Sequence, residues 1–231
     1  METRLVILVR GRVPLARETA MSNRYARILA VGAAAVLVAT LDGPAALAAV
    51  TASTWTVQPG GGIKAAAGSL RLTDATSSGV SDTCTSATMS GTLKAGSGLP
   101  GSGIGSISKA AYSGCGLLGS RDLALRGLPW HLNLLSYDAA TGVSRGTASH
   151  LKIAFSITGC SAVVNGTSGS APDGVVAVTY ANQTGTLKIL LHGGTLHWYH
   201  VRGCAGLVHN GDTATLSATF AVSPQQDITS P

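Results

Sequence analysis

"TATLSATFAV", residues 213–222, decides the fold class. Ala214, Leu216, Ala218, Phe220 and Val222 fall on one side of an extended chain, with Thr213, Thr215, Ser217 and Thr219 on the other. Successive side chains of a strand point to opposite faces, so this period of two reads as a half-buried strand with its apolar set inward. "HLKIAFSI", residues 150–157, repeats the pattern through Leu151, Ile153, Phe155 and Ile157, and "GTLKILLH", residues 185–192, through Leu187, Ile189 and Leu191. Turn residues separate such runs: Pro172-Asp173-Gly174, Gly193-Gly194 and the hairpin pair Asn210-Gly211. The pattern predicts an all-β protein of about ten short antiparallel strands, built as an antiparallel β-sandwich or a closed barrel.

Composition points the same way. After residue 48 the chain has no Glu and only ten Lys and Arg, which removes the residues that usually coat surface helices. Residues 49–231 are enough for one substantial core and short for two independent domains.

The N-terminus carries a different signal. Residues 21–48 read "MSNRYARILAVGAAAVLVATLDGPAALA": two arginines, an apolar run from Ile28 to Leu41, then small residues ending Ala46-Leu47-Ala48. This is the three-part layout of a secretory signal peptide, with cleavage expected after Ala48. The run has 14 residues, fewer than the roughly 20 that span a bilayer as a helix. Residues 1–20 read as an upstream extension. The expected protein is therefore secreted and extracellular, a single all-β domain over residues 49–231 without stable membrane insertion. An outer-envelope pore is disfavoured, because most runs are shorter than the roughly 9 to 11 residues of a spanning strand.

Charge limits the partners. Ten basic residues against seven Asp leave residues 49–231 at +3, so half of the +6 of the whole chain belongs to the leader. Scattered cations of this kind leave no electrostatic footprint for nucleic acid.

Cys84, Cys115, Cys160 and Cys204 are even in number, as expected of a disulfide framework in an exported chain. Four cysteines allow three connectivities, and an internal echo chooses among them. "CTSATMSGT" at Cys84 resembles "CSAVVNGT" at Cys160, and "YSGCGLL" around Cys115 resembles "VRGCAGLV" around Cys204. The echo points to two similar halves, about 52–137 and 142–227, with Cys84 bonded to Cys115 and Cys160 to Cys204. No paired C-x-x-C spacing is present, so no metal site is expected at the cysteines.

The most aromatic stretch is "GGTLHWYHVRGC", residues 193–204. Read as a strand from Leu196 to Val201, it places His197 and Tyr199 on one face and Trp198 and His200 on the other. Two histidines three apart on a regular strand cannot share one metal ion. Trp198 is expected in the core or over a disulfide, with the histidines at the rim. Trp130, His131, His197, Trp198, Tyr199 and His200 form the candidate ligand surface if any of their rings is exposed.

Motifs for catalysis are weak. "GSGLPG", residues 96–101, matches a dinucleotide fingerprint by letters alone, has Pro100 inside it and reads as a flexible turn. Asp122 and Asp138 flank "GLPWHLN" as a candidate carboxylate pair and are read as turn caps. No catalytic residue, cofactor or metal is assigned.

"TWTVQPGGGIKA", "CTSATMSGTLKAGSGLPGSGIGSIS", "GLPWHLN", "LHWYHVRGC" and "FAVSPQQDITSP" together resemble a group of uncharacterised secreted, disulfide-containing, β-rich proteins of high-GC actinobacteria. The resemblance implies export, disulfides and an all-β fold, and no reaction or ligand. The expected function is a non-enzymatic extracellular protein with a structural or surface-interaction role, its partner a cell-envelope or extracellular polysaccharide. The alternatives are a glycan- or small-ligand-binding module using exposed Trp or Tyr, and a secreted hydrolase in which His131, His197 and Asp138 would converge.

Overall fold

In the computed structural model the alternation of residues 213–222 becomes burial: Ala214, Leu216, Ala218 and Phe220 are buried, and the hydroxyls between them reach the surface. The structure describes residues 53–76, 79–116 and 122–231, of which 122–125 and 157 by backbone alone. The signal-peptide reading of residues 21–48 and the extension at 1–20 lie outside the described residues.

Fifteen strands and no helix are described: β1 (Thr54–Gln58), β2 (Gly61–Ala67), β3 (Leu70–Asp74), β4 (Ser81–Leu93), β5 (Gly96–Pro100), β6 (Gly105–Cys115), β7 (Asp122–Arg126), β8 (Trp130–Asp138), β9 (Val143–Ile157), β10 (Cys160–Asn165), β11 (Gly174–Ala181), β12 (Thr186–Ile189), β13 (His197–Arg202), β14 (Ala214–Ser223) and β15 (Asp227–Thr229). Every pairing is antiparallel. Eight strands in the order β11-β12-β14-β2-β4-β6-β8-β9 close on themselves, because β9 pairs with β11 as well as with β8. Closure leaves the ring no free edge at this level.

The ring is extended at both ends. At one end the small sheet β15-β1-β5 packs Ile228 and Gln226 against Tyr180, Leu187, Leu93 and Leu134 of the ring. Tyr180 donates its hydroxyl proton to Gln226 O and accepts from Gln226 N, while Ser144 Oγ donates to Ile228 O. At the other end β9 runs on past the ring and pairs with β7 and β10, and β10 pairs with β13. The switch occurs at His150, a bulge where Ser149 faces Val175 but Leu151 faces Gly174.

Three features depart from the expected strand pattern. The strands are more numerous, and β4, β6 and β9 run to 13, 11 and 15 residues. Their length was hidden because the inward positions of β4 include Asp82, Cys84 and Ala87, which carry little apolar signal. "GSGLPG" is mostly strand rather than turn, since β5 is held by pairing with β1 (Thr54 to Pro100, Trp55 to Leu99) and needs no alternation of its own. Leu191 is exposed, because β12 ends at Ile189.

Both cysteine pairs are bonded as the echo indicates, Cys84 to Cys115 and Cys160 to Cys204. Each bond joins neighbouring antiparallel strands or their ends, β4 with β6 and β10 with the end of β13. One complete strand, β5, lies between the first pair of cysteines and three, β11, β12 and β13, between the second, so the halves do not correspond strand for strand.

Candidate functional site

The aromatic stretch forms β13, and its rings serve the interior. Trp198 is buried at 4% exposure, edge-on to Phe155 at 6.0 Å between ring centres, in a shell with Leu72, Val80, Val208 and Cys160. Trp130 is 3% exposed and Trp55 1%, so none of the three tryptophans presents a stacking face outward. Tyr199 donates its hydroxyl proton to Gly166 O, and His197 Nδ1 meets Gly211 O at 3.3 Å. His200 does not share the face of Trp198 as expected. It has a φ of 52° within a bulge where Val163 faces Tyr199 but Ser161 faces Arg202, and the extra residue breaks the alternation.

Of the three residues expected to converge in a hydrolase, His131 and Asp138 lie apart. Asp138 and His131 occupy opposite ends of β8, seven residues or about 23 Å distant along the strand. Asp138 caps the β8–β9 turn by accepting from Ala140 N and Thr141 N, and hydrogen bonds from Thr141 and Ala140 hold its carboxyl below the ordinary value. The side chain of Asp122 lies outside the described residues. Asp82 sits within 4.8 Å of the sulfurs of Cys84 and Cys115, and since these are bonded to each other they supply no thiolate for a metal.

The outer face of the ring carries a different arrangement. Alternation turns Lys188 of β12, Lys64 of β2, Arg71 of β3 and Lys109 of β6 outward, and all four are exposed. Between them the outward positions are Ser, Thr, Ala and Gly, such as Thr88, Ser90, Thr219, Ala221 and Ser223. The carboxylates that strands β2, β3, β4, β6, β12 and β14 carry are Asp74 and Asp82, which point inward at 0% and 3% exposure. Four of the ten cations after residue 48 thus share a face from which carboxylates are missing among the described residues.

Register assembles the centre of that face. Ser223 pairs with Lys64, Lys64 with Ser90, and Ser90 with Lys109. The two lysines stand two inter-strand spacings apart, about 10 Å. They flank an open groove of about 700 Å³ whose floor includes Ala66, Thr88, Ala111 and Ala221. Neither lysine has an ion-pair partner among the described residues. The sequence showed these cations as scattered, because Lys64 and Lys109 meet only through β4. The legible signal was parity: cations at outward positions of their strands, Asp74 and Asp82 at inward ones.

Comparison of the chain with protein-family models, with curated proteins and with solved structures returned no match.

Proposed function

We propose that this chain is an exported, non-catalytic protein that attaches to an acidic extracellular polysaccharide through the outer face of β12, β14, β2, β3, β4 and β6. The observation that carries the reading is that Lys64, Lys109, Arg71 and Lys188 lie exposed on one face, with no outward carboxylate on it among the described residues. Two disulfides, which are typical of extracellular proteins, support export, as does the resemblance to secreted actinobacterial proteins.

The physical chemistry selects a polymer. One exposed ion pair is worth about 0 to 1 kcal/mol, so a single small anion is held weakly. A chain of repeated carboxylates engages several cations at once, and linked weak contacts multiply. The short Ser, Thr and Ala side chains between the cations let an extended polymer lie close to the sheet.

Co-sedimentation of the purified, oxidised protein with insoluble acidic and neutral polysaccharides tests this reading. Saturable binding to the acidic polymer, weakened by salt and at least tenfold weaker in a Lys64→Ser, Lys109→Ser double variant, is the expected result. Equal binding by the double variant, or equal binding to the neutral polymer, overturns it.

A further inference from the structure

His150 occupies the left-handed region, with a φ of 67°, inside β9. That conformation favours glycine, and the chain places glycine at fifteen other positive-φ positions. The bulge that turns β9 out of the ring therefore needs the backbone geometry and does not need an imidazole. Its imidazole nevertheless meets that of His131 on the neighbouring strand β8, with ring centres 4.6 Å apart and planes crossed at 76°. Among the described residues neither ring makes a hydrogen bond. His131 is half-buried and His150 exposed, so the pair is open to solvent on one side.

The spacing has a definite meaning for coordination. An ion about 2.0 Å from an imidazole nitrogen lies about 3.1 Å from the ring centre, and two centres 4.6 Å apart then subtend about 95° at the ion. That is the angle between adjacent positions of a square-planar or octahedral complex, the preference of Cu²⁺ and Ni²⁺ with nitrogen and oxygen ligands. We propose that His131 and His150 form a surface site for a divalent copper-type ion, binding it through one nitrogen each in adjacent positions, with solvent oxygens completing the shell. The site is independent of the polysaccharide face.

The test is titration of the purified, oxidised protein with Cu²⁺ by calorimetry, with electron paramagnetic resonance on the bound ion. The expected result is one site with two nitrogen ligands, weakened at least tenfold in His131→Ala and in His150→Gly and retained in His197→Ala. Without metal, His150→Gly is expected to raise the melting temperature, since glycine relieves the left-handed strain. Unchanged affinity in His131→Ala or His150→Gly overturns the proposal. So does a lower metal-free melting temperature in His150→Gly, which would mean that the imidazole is kept for packing.

Discussion

Two glycines explain why the sequence repeats itself around its cysteines. Gly114, before Cys115, has a φ of 63°, and an added Cβ would stand 2.0 Å from Thr85 Oγ1. Gly203, before Cys204, has a φ of 68°, and its Cβ would stand 2.2 Å from Gly159 O. Each "Gly-Cys" pair brings a half-cystine to its partner through a backbone that an L side chain resists, in a space that a side chain cannot enter. Gly203→Ala is expected to lower the unfolding free energy by about 2 to 4 kcal/mol, combining left-handed strain with overpacking. Gly206→Ala is the control, because Gly206 has a φ of 77° with open space around it and should lose only the strain, about 1 to 2 kcal/mol. Urea denaturation of the oxidised proteins reads both, and equal losses would mean that the close approach to Gly159 is not felt. Trp198→Ala is expected to cost about 3 to 5 kcal/mol, as a buried aromatic truncated to alanine, measured the same way. A loss below about 1 kcal/mol would place the ring outside the core.

At the scale of elements, the connection from β10 to β11 shows how a loop without regular structure is held. Asn165 is fully buried, and its amide donates to Ser168 O and Ala171 O while its carbonyl accepts from Asp173 N and Gly174 N. Asp173 in turn accepts from Gly166 N, Thr167 N and Thr167 Oγ1. Removing the Asn165 side chain strands four backbone groups, so Asn165→Ala should cost about 2 to 4 kcal/mol and release amide-exchange protection over residues 166–174. Protection unchanged in the variant would refute this account. Desolvation raises the Asp173 pKa, and its hydrogen bonds from Thr167 and Gly166 outweigh that effect and leave it below the ordinary carboxylate value. A carboxyl depressed in the folded state contributes stability above its unfolded pKa, about 3.9, and loses it as pH falls through the lower folded value. Protection of the loop should therefore weaken in acid below about pH 3.9, and an Asp173→Asn variant should lack that component.

For the whole molecule, the ring closes around a core that includes Tyr180 and against which the partly buried Tyr112 packs, two tyrosines with the opposite linkage. Burial, with a smaller effect from Asp82, raises the pKa of Tyr112, and burial raises that of Tyr180 while its hydroxyl is held by Gln226. Groups raised in the folded state contribute stability below their unfolded pKa, about 10, and lose it as pH climbs toward the folded value. Alkaline unfolding above about pH 10 should be accompanied by tyrosinate absorbance that Tyr112→Phe and Tyr180→Phe reduce; full tyrosinate signal from a still-folded protein would contradict it. The bonds closing separations of 31 and 44 residues each constrain the unfolded chain, by about 3 to 4 kcal/mol in the chain-entropy account. Reduction of both should lower the melting temperature markedly, and a non-reduced peptide map should show Cys84 with Cys115; a link from Cys84 to Cys160 would contradict the structure. From the sequence by itself came the all-β class, the inward positions Leu151, Ile153, Phe155, Leu187, Ile189, Ala214, Leu216, Ala218 and Phe220, the burial of Trp198 and both cysteine pairings. The pairings came from the repeated motifs around the cysteines, and the rest follows from neighbours along one strand, where period-two sterics and the solvation of each side chain act locally. Only the tertiary structure decided that β9 serves two sheets through a bulge at His150, that His131 and His150 meet, and that Lys64 and Lys109 share a row across β4. Those facts depend on register between strands distant in sequence, and register is set by how the closed ring packs its interior, which no local pattern records.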